Sequence, residues 1–280
     1  MRPGVCHADR NAVPISEQRP GHAARNAIPM PEEILYDVAD GVATITINRP
    51  HKLNAINEAA KDALFVAWRR FEADTEARVA ILTAAGNRAF CVGRDLTEST
   101  EGNFNIESFP ILGLSIEVSK PSIAAVNGLA LGGGFLLAQM CDLCVAADTA
   151  TFSIPEAKLG RGAAWATGLL QMMPVRVAME MLLSAAPMPA ARLHQLGFIN
   201  AVVPLSELAE AARGMAALIA ANAPLSIRAC RQLVHRVAGA GPTLSRAEAE
   251  AMFAGVYASN DAREGTAAFR ERRKPRWTGT

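Results

Sequence analysis

Three consecutive glycines, Gly132-Gly133-Gly134, precede an apolar run from Phe135 to Met140 that reads as a helix. Glycine lets another group approach the backbone closely, and a helix start leaves unpaired N–H groups that attract negative charge. The pattern fits an anion or oxyanion site, and equally a tight turn with no ligand. Glu156 follows Pro155 at a second helix start; an acid there is either a proton carrier or a residue favoured by the helix dipole. Cys141-Asp142-Leu143-Cys144 has C-x-x-C spacing, but with no second pair and no nearby His it reads as two buried thiols. The run Arg270 to Arg276 holds five basic residues and one acid, a solvated helix end or a contact for phosphate.

Other chemistries fail on spacing. No Lys-Ser/Thr pair follows the glycines as a phosphate loop requires, and Gly128 to Gly132 does not fit G-x-G-x-x-G. Gly113-Leu114-Ser115-Ile116-Glu117 lacks the second glycine of a nucleophile elbow. His7, His22, His51, His194 and His235 stand far apart without acidic companions, so no metal site is expected.

Positioning such residues takes a sizeable core, and half of the 280 residues are hydrophobic. A formal net charge of +1 supplies no excess for nucleic acid or an anionic membrane. Apolar stretches are broken well before the ~20 residues needed to span a bilayer. Five cysteines are too sparse for a disulfide scaffold, which points to a reducing, cytoplasmic compartment. Residues 1–29 contain no apolar signal region and read as a disordered extension, with Met30 the expected natural start.

The elements follow from periodicity. Ile34 to Val38 and Val42 to Ile47 flank Asp40-Gly41, a hairpin signal. Asn57 to Phe71 places Ala60, Leu64, Ala67, Trp68 and Phe71 on one helical face, and Val79 to Leu82 reads as a buried strand. A loop from Thr97 to Pro110 precedes a predicted helix at Ile111 to Val118. Ser122 to Val126 and a segment ending at Val145-Ala146 are predicted strands. Beyond Pro155 the pattern is almost wholly helical, with Pro174, Pro189 and Pro224 at helix starts. Strands alternating with helices, then helices alone, indicate α/β or α+β layering.

In order along the chain, Asn48-Arg49-Pro50, Leu53-Asn54-Ala55, Ala89 to Leu96, Lys120-Pro121 to Gly128, Ala130 to Gly134, Cys141-Asp142, Phe152 to Glu156, Lys158-Leu159-Gly160 and Asp261 to Gly265 with Ala268-Phe269 resemble the blocks of the crotonase (enoyl-CoA hydratase/isomerase) family. The resemblance implies a spiral of ββα units over residues 30–204 and a helical C-terminal region, 205–280, that builds a trimer or a dimer of trimers. It implies an acyl-CoA thioester as substrate, with coenzyme A arriving as part of it and no permanently bound cofactor. The thioester oxygen would lie between the backbone N–H groups of Arg94 and Gly133. Lys52, Leu53 and Ala55 would run along coenzyme A, and Asp95, Leu96, Gly132, Leu136 and Trp165 would border the substrate.

Family hydratases use two glutamates; here one is Glu156 and the other position holds Leu136. A leucine accepts neither proton nor hydrogen bond. The simplest expectation is therefore one-carboxylate isomerisation of a 3-enoyl-CoA. The alternatives are hydration with a substitute among Glu98, Glu101, Glu107 and Glu117, another reaction of the family, and a non-catalytic thioester-binding protein. Arg161-Gly162-Ala163-Ala164-Trp165 also departs from the family's glycine-rich stretch, leaving Trp165 to the acyl pocket or to the core.

Overall fold

A computed structural model describes residues 32–97, 108–159, 161–240 and 246–280. The expected extension 1–29 and the candidate acids Glu98, Glu101 and Glu107 lie outside the described residues. β1 (Ile34–Ala39) and β2 (Val42–Ile47) pair antiparallel, with Ala39 opposite Val42. Asp40 and Gly41 between them have φ of 52° and 78°, the left-handed pair that a two-residue hairpin turn requires. α1 (Glu58–Ala73) starts at Asn57, whose side chain accepts the Ala60 N–H at 2.9 Å. Its predicted apolar face, Ala60, Leu64, Ala67, Trp68 and Phe71, is fully buried.

From there each turn of the chain places one strand in each of two sheets. β3 (Val79–Ala84) is followed by β4 (Ala89–Cys91), β5 (Ser122–Val126) by β6 (Leu129–Leu131), and, after α2 (Gly133–Gln139), β7 (Leu143–Ala147) by β8 (Thr151–Ser153). α3 (Leu169–Met172), α4 (Val175–Ser184), β9 (Met188–Pro189), α5 (Ala190–Gln195) and β10 (Ala201–Val203) come next. The first sheet runs β1-β2-β3-β5-β7-β10 and the second β4-β6-β8-β9. Pairing is parallel except at β1/β2 and β8/β9. This is a spiral of ββα units, and its central strands read as continuous apolar runs because both faces are covered. All of β5 is buried.

α6 (Leu208–Ala220) buries Leu208, Ala212 and Ala216 at fourfold spacing and lies against β3, β5 and β7. α7 (Pro224–Ala240), α8 (Arg246–Ala258) and α9 (Asn260–Arg270) complete the C-terminal part. Pro174 and Pro189 stand just before α4 and α5, and Pro224 opens α7, as expected of a residue with no N–H to lose.

Two expectations are corrected. Residues 111–118 are not a helix: Gly113 takes φ +79°, and Leu112 bridges Ile116. The Ser115 hydroxyl accepts the Ile111 N–H at 2.8 Å and donates to the Phe109 carbonyl, so a side chain captures the backbone groups that a helix needs. The region beyond Pro155 also contains β9 and β10, two and three residues long, too short for a two-residue period to register.

α2 packs closely on the second sheet through glycine. A Cβ added at Gly134 would stand 1.9 Å from the Cys91 carbonyl oxygen on β4. Gly134→Ala should therefore destabilise the protein by about 1–3 kcal/mol or more. Thermal unfolding checks this, and a melting temperature equal to the parent's would contradict the close approach.

Candidate active site

β4, β6 and β8 are adjacent and parallel, so their carboxyl ends lie side by side at one edge of the second sheet. Each hands one site residue to that edge: Arg94 after β4, Gly133 after β6 and Glu156 after β8. Ligands of open α/β sheets bind at such an edge, where several loops converge.

Gly93 takes φ +91°, and a Cβ there would come 3.2 Å from the Gly133 nitrogen. The two backbones therefore approach as closely as they do because residue 93 is glycine. The Ile56 N–H bonds the Gly93 carbonyl at 2.8 Å, and the Asp95 N–H bonds the Ile56 carbonyl at 2.9 Å. Strand alternation turns the intervening Arg94 N–H to the other side. It makes no hydrogen bond among the described residues. Gly133 is the first residue of α2, so its N–H has no intrahelical acceptor. Gly132, at φ 54° and ψ −119°, supplies the sharp bend between β6 and α2.

The Arg94 loop is anchored by a buried network. Arg49 Nη1 donates to Asp95 Oδ2 at 3.1 Å and to the Ala55 carbonyl at 2.5 Å. Asn54 accepts the Arg49 N–H and donates to the Ala85 and Ala89 carbonyls. Thr97 donates to Asp95 from both hydroxyl and N–H, and with Arg49 holds the carboxyl below the usual range. Asp95, assigned to substrate contact by resemblance, is thus an internal strut. Lys52, Leu53 and Ala55 are also absent from the wall of the cleft in front of Gly133; Lys52 is exposed and Ala55 buried.

That cleft, of about 130 Å³, is bordered by Arg94, Leu96, Gly132, Gly133, Leu136, Glu156 and Trp165 among others. Leu159 and Arg161, which lie in segments the sequence had marked though not as site residues, also border it, as does Phe109, which nothing in its local sequence marked. Glu156 lies in a single 3-10 turn, Pro155–Leu159, so the helix start read at Pro155 is a short one. Burial raises its carboxyl above the usual carboxylate range, and a hydrogen bond from Trp165 opposes the rise. Trp165 Nε1 donates to Glu156 Oε1 at 2.9 Å; Oε2 is buried and has no partner among the described residues. Trp165 packs edge-to-face on Phe135, with ring centroids 6.1 Å apart. It therefore belongs to both the core and the cleft wall. Leu136 is 3% exposed and faces the cleft where a carboxylate was absent from the sequence. Glu117 is exposed and outside the wall.

Cys91, Cys141 and Cys144 are buried free thiols, and burial pushes Cys91 and Cys144 up to about 12. Among the described residues no group of His, Cys, Asp and Glu is arranged to hold a metal ion, and no helix is long and apolar enough to cross a membrane. In the C-terminal basic run, Arg273 pairs with Glu264 at 2.6 Å and with Glu271 at 2.5 Å.

Residues 37–280 match the family model described as enoyl-CoA hydratase/isomerase. The chain belongs to the enoyl-CoA hydratase/isomerase family. It is 36% identical over 249 residues to a carnitinyl-CoA dehydratase of Proteus mirabilis, covering 85% of this chain and 95% of the relative. It is 34% identical over 256 residues to an (E)-benzylidenesuccinyl-CoA hydratase of Thauera aromatica, covering 88% and 99%. A crystal structure of an enoyl-CoA hydratase from Mycobacterium tuberculosis superposes with a TM-score of 0.82 at 38% identity, covering 89% of this chain and all of that one. The crotonase spiral and an enzyme of the hydratase/isomerase family are thereby established, and acyl-CoA thioesters are the family's substrates.

Proposed function

We propose that this enzyme moves the double bond of a 3-enoyl-CoA to the 2-position with Glu156 as its single acid/base. The observation that carries the reading is the cleft wall, where Glu156 is the one carboxyl group among the described residues and Leu136 fills the position of a second. The thioester oxygen accepts from the Arg94 and Gly133 N–H groups. Glu156 takes a proton from C2, and the electron pair delocalises through the thioester and the C3–C4 double bond. The same carboxyl returns the proton at C4. Two fixed donors aimed at the developing oxyanion contribute ~10²–10³-fold each. Lys52 to Ala55 would carry coenzyme A, and the exposed row Val175, Met179 and Leu183 on α4 supports self-association.

A second reading, hydration or dehydration at C3 with Glu156 serving the water alone, is favoured by the two relatives named as a dehydratase and a hydratase. Conjugated-thioester absorbance on matched substrates separates them. Gain of signal from a 3-enoyl-CoA with none lost from the 2-enoyl-CoA supports isomerisation; loss from the 2-enoyl-CoA establishes hydration instead. Silence on both removes both readings.

The base must be ionised to act, so kcat/KM should fall as pH drops through the Glu156 pKa. Because burial raises that pKa, the acid limb should lie above the 4.5 of an ordinary glutamate. A pH–rate profile with no limb above that value would contradict the assignment.

A further inference from the structure

The geometry assigns Trp165 the role of a positioning residue: its indole N–H pins Glu156 Oε1 and leaves Oε2 as the atom that carries the proton. This rests on Glu156 being the acid/base, as proposed above. A glutamate in a short 3-10 turn has three side-chain torsions to fix. One hydrogen bond at 2.9 Å removes most of that freedom. The donor is itself held, by the edge-to-face contact with Phe135 and by Gln139, whose side-chain amide donates to the Trp165 carbonyl at 3.5 Å. Gly132 has no side chain, and a Cβ there would come 3.2 Å from Glu156 Oε1, so the glycine leaves room for the carboxylate. The carboxylate is thus held by an indole and sits beside a bare backbone bend, with its second oxygen buried and without a partner among the described residues.

An indole can donate but cannot accept, so it steadies the carboxylate without competing for the proton. The two oxygens acquire different tasks. Losing the donor removes a charge-assisted hydrogen bond that favours the ionised form, which moves the pKa upward.

Trp165→Phe keeps an aromatic wall against Phe135 and deletes the N–H. We expect kcat to fall roughly tenfold with KM little changed, and the acid limb of the pH–rate profile to move to higher pH. A normal kcat with an unmoved limb, or a change confined to KM, overturns the proposal and leaves Trp165 as pocket wall. A second measurement needs no variant. The chain has three tryptophans. Trp277 Nε1 donates to the Ala221 carbonyl, and Trp68 Nε1 is buried with no partner, so among the described residues neither bonds a carboxyl group. In 1H–15N spectra of the parent protein one indole N–H resonance should therefore titrate together with the activity limb, and should cease to titrate in Glu156→Gln. Three pH-invariant indole signals overturn the hydrogen bond. Full turnover by Glu156→Gln overturns the assignment of the base instead, whatever the indoles do.

Discussion

Glu156→Gln should lower turnover on the productive enoyl-CoA by about 10²–10⁴-fold, the usual contribution of a positioned acid/base. Glutamine has nearly the same volume and can still accept the Trp165 N–H through its amide oxygen, so the cleft keeps its shape. What is lost is basicity. Affinity for the thioester should persist, because the Arg94 and Gly133 donors are backbone groups that the substitution does not touch. Steady-state kinetics with calorimetric binding of a non-reactive acyl-CoA checks both halves. Intact turnover would remove Glu156 from the chemistry. Retained binding with lost turnover also disposes of the non-catalytic alternative, since a pure binding protein has no turnover to lose.

Asp95→Ala should be the most damaging substitution for stability among the charged residues around the site. The Arg49 and Asp95 side chains are each 5% exposed, and the substitution takes this ion-pair partner from a buried guanidinium. That costs about 3–5 kcal/mol. At roughly 2–4 °C per kcal/mol for a chain of this size, the melting temperature should drop by roughly 6–20 °C. Turnover should fall as well, because Asp95 adjoins the Arg94 N–H and its network ties that loop to Asn54 and Ala55. Replacing both partners together, Arg49→Met with Asp95→Leu, should restore much of the stability, as apolar pairs of similar volume often do. The exposed pair Lys61–Glu58 is the control, worth about 0.3–0.5 kcal/mol. Thermal unfolding that ranks the two pairs equally would contradict the buried network.

The hairpin, α1 and the buried strands were legible because each rests on local rules. Asp40-Gly41 names its turn, and the face from Ala60 to Phe71 names the burial of α1. The strands β4, β6 and β8 were not legible as a sheet. Each has three residues, too few for a pattern, and their pairing partners stand 22 to 40 residues away in the chain. Residues 111–118 misled for a related reason, since apolar spacing there cannot reveal that Ser115 captures the backbone.

The sequence by itself determined the family, the three motifs that end in Arg94, Gly133 and Glu156, and the missing carboxylate at Leu136, because these are matters of residue type and order. Only the tertiary structure decided what the residues do for one another. Asp95 turned inward to Arg49, Trp165 reached Glu156 across nine residues, and Glu117 stayed outside the cleft. The physical reason lies in how burial and hydrogen bonding act. A carboxyl group's pKa, freedom and accessibility depend on its neighbours in space, and parallel strands joined by long crossovers make spatial neighbours of residues that the sequence keeps far apart.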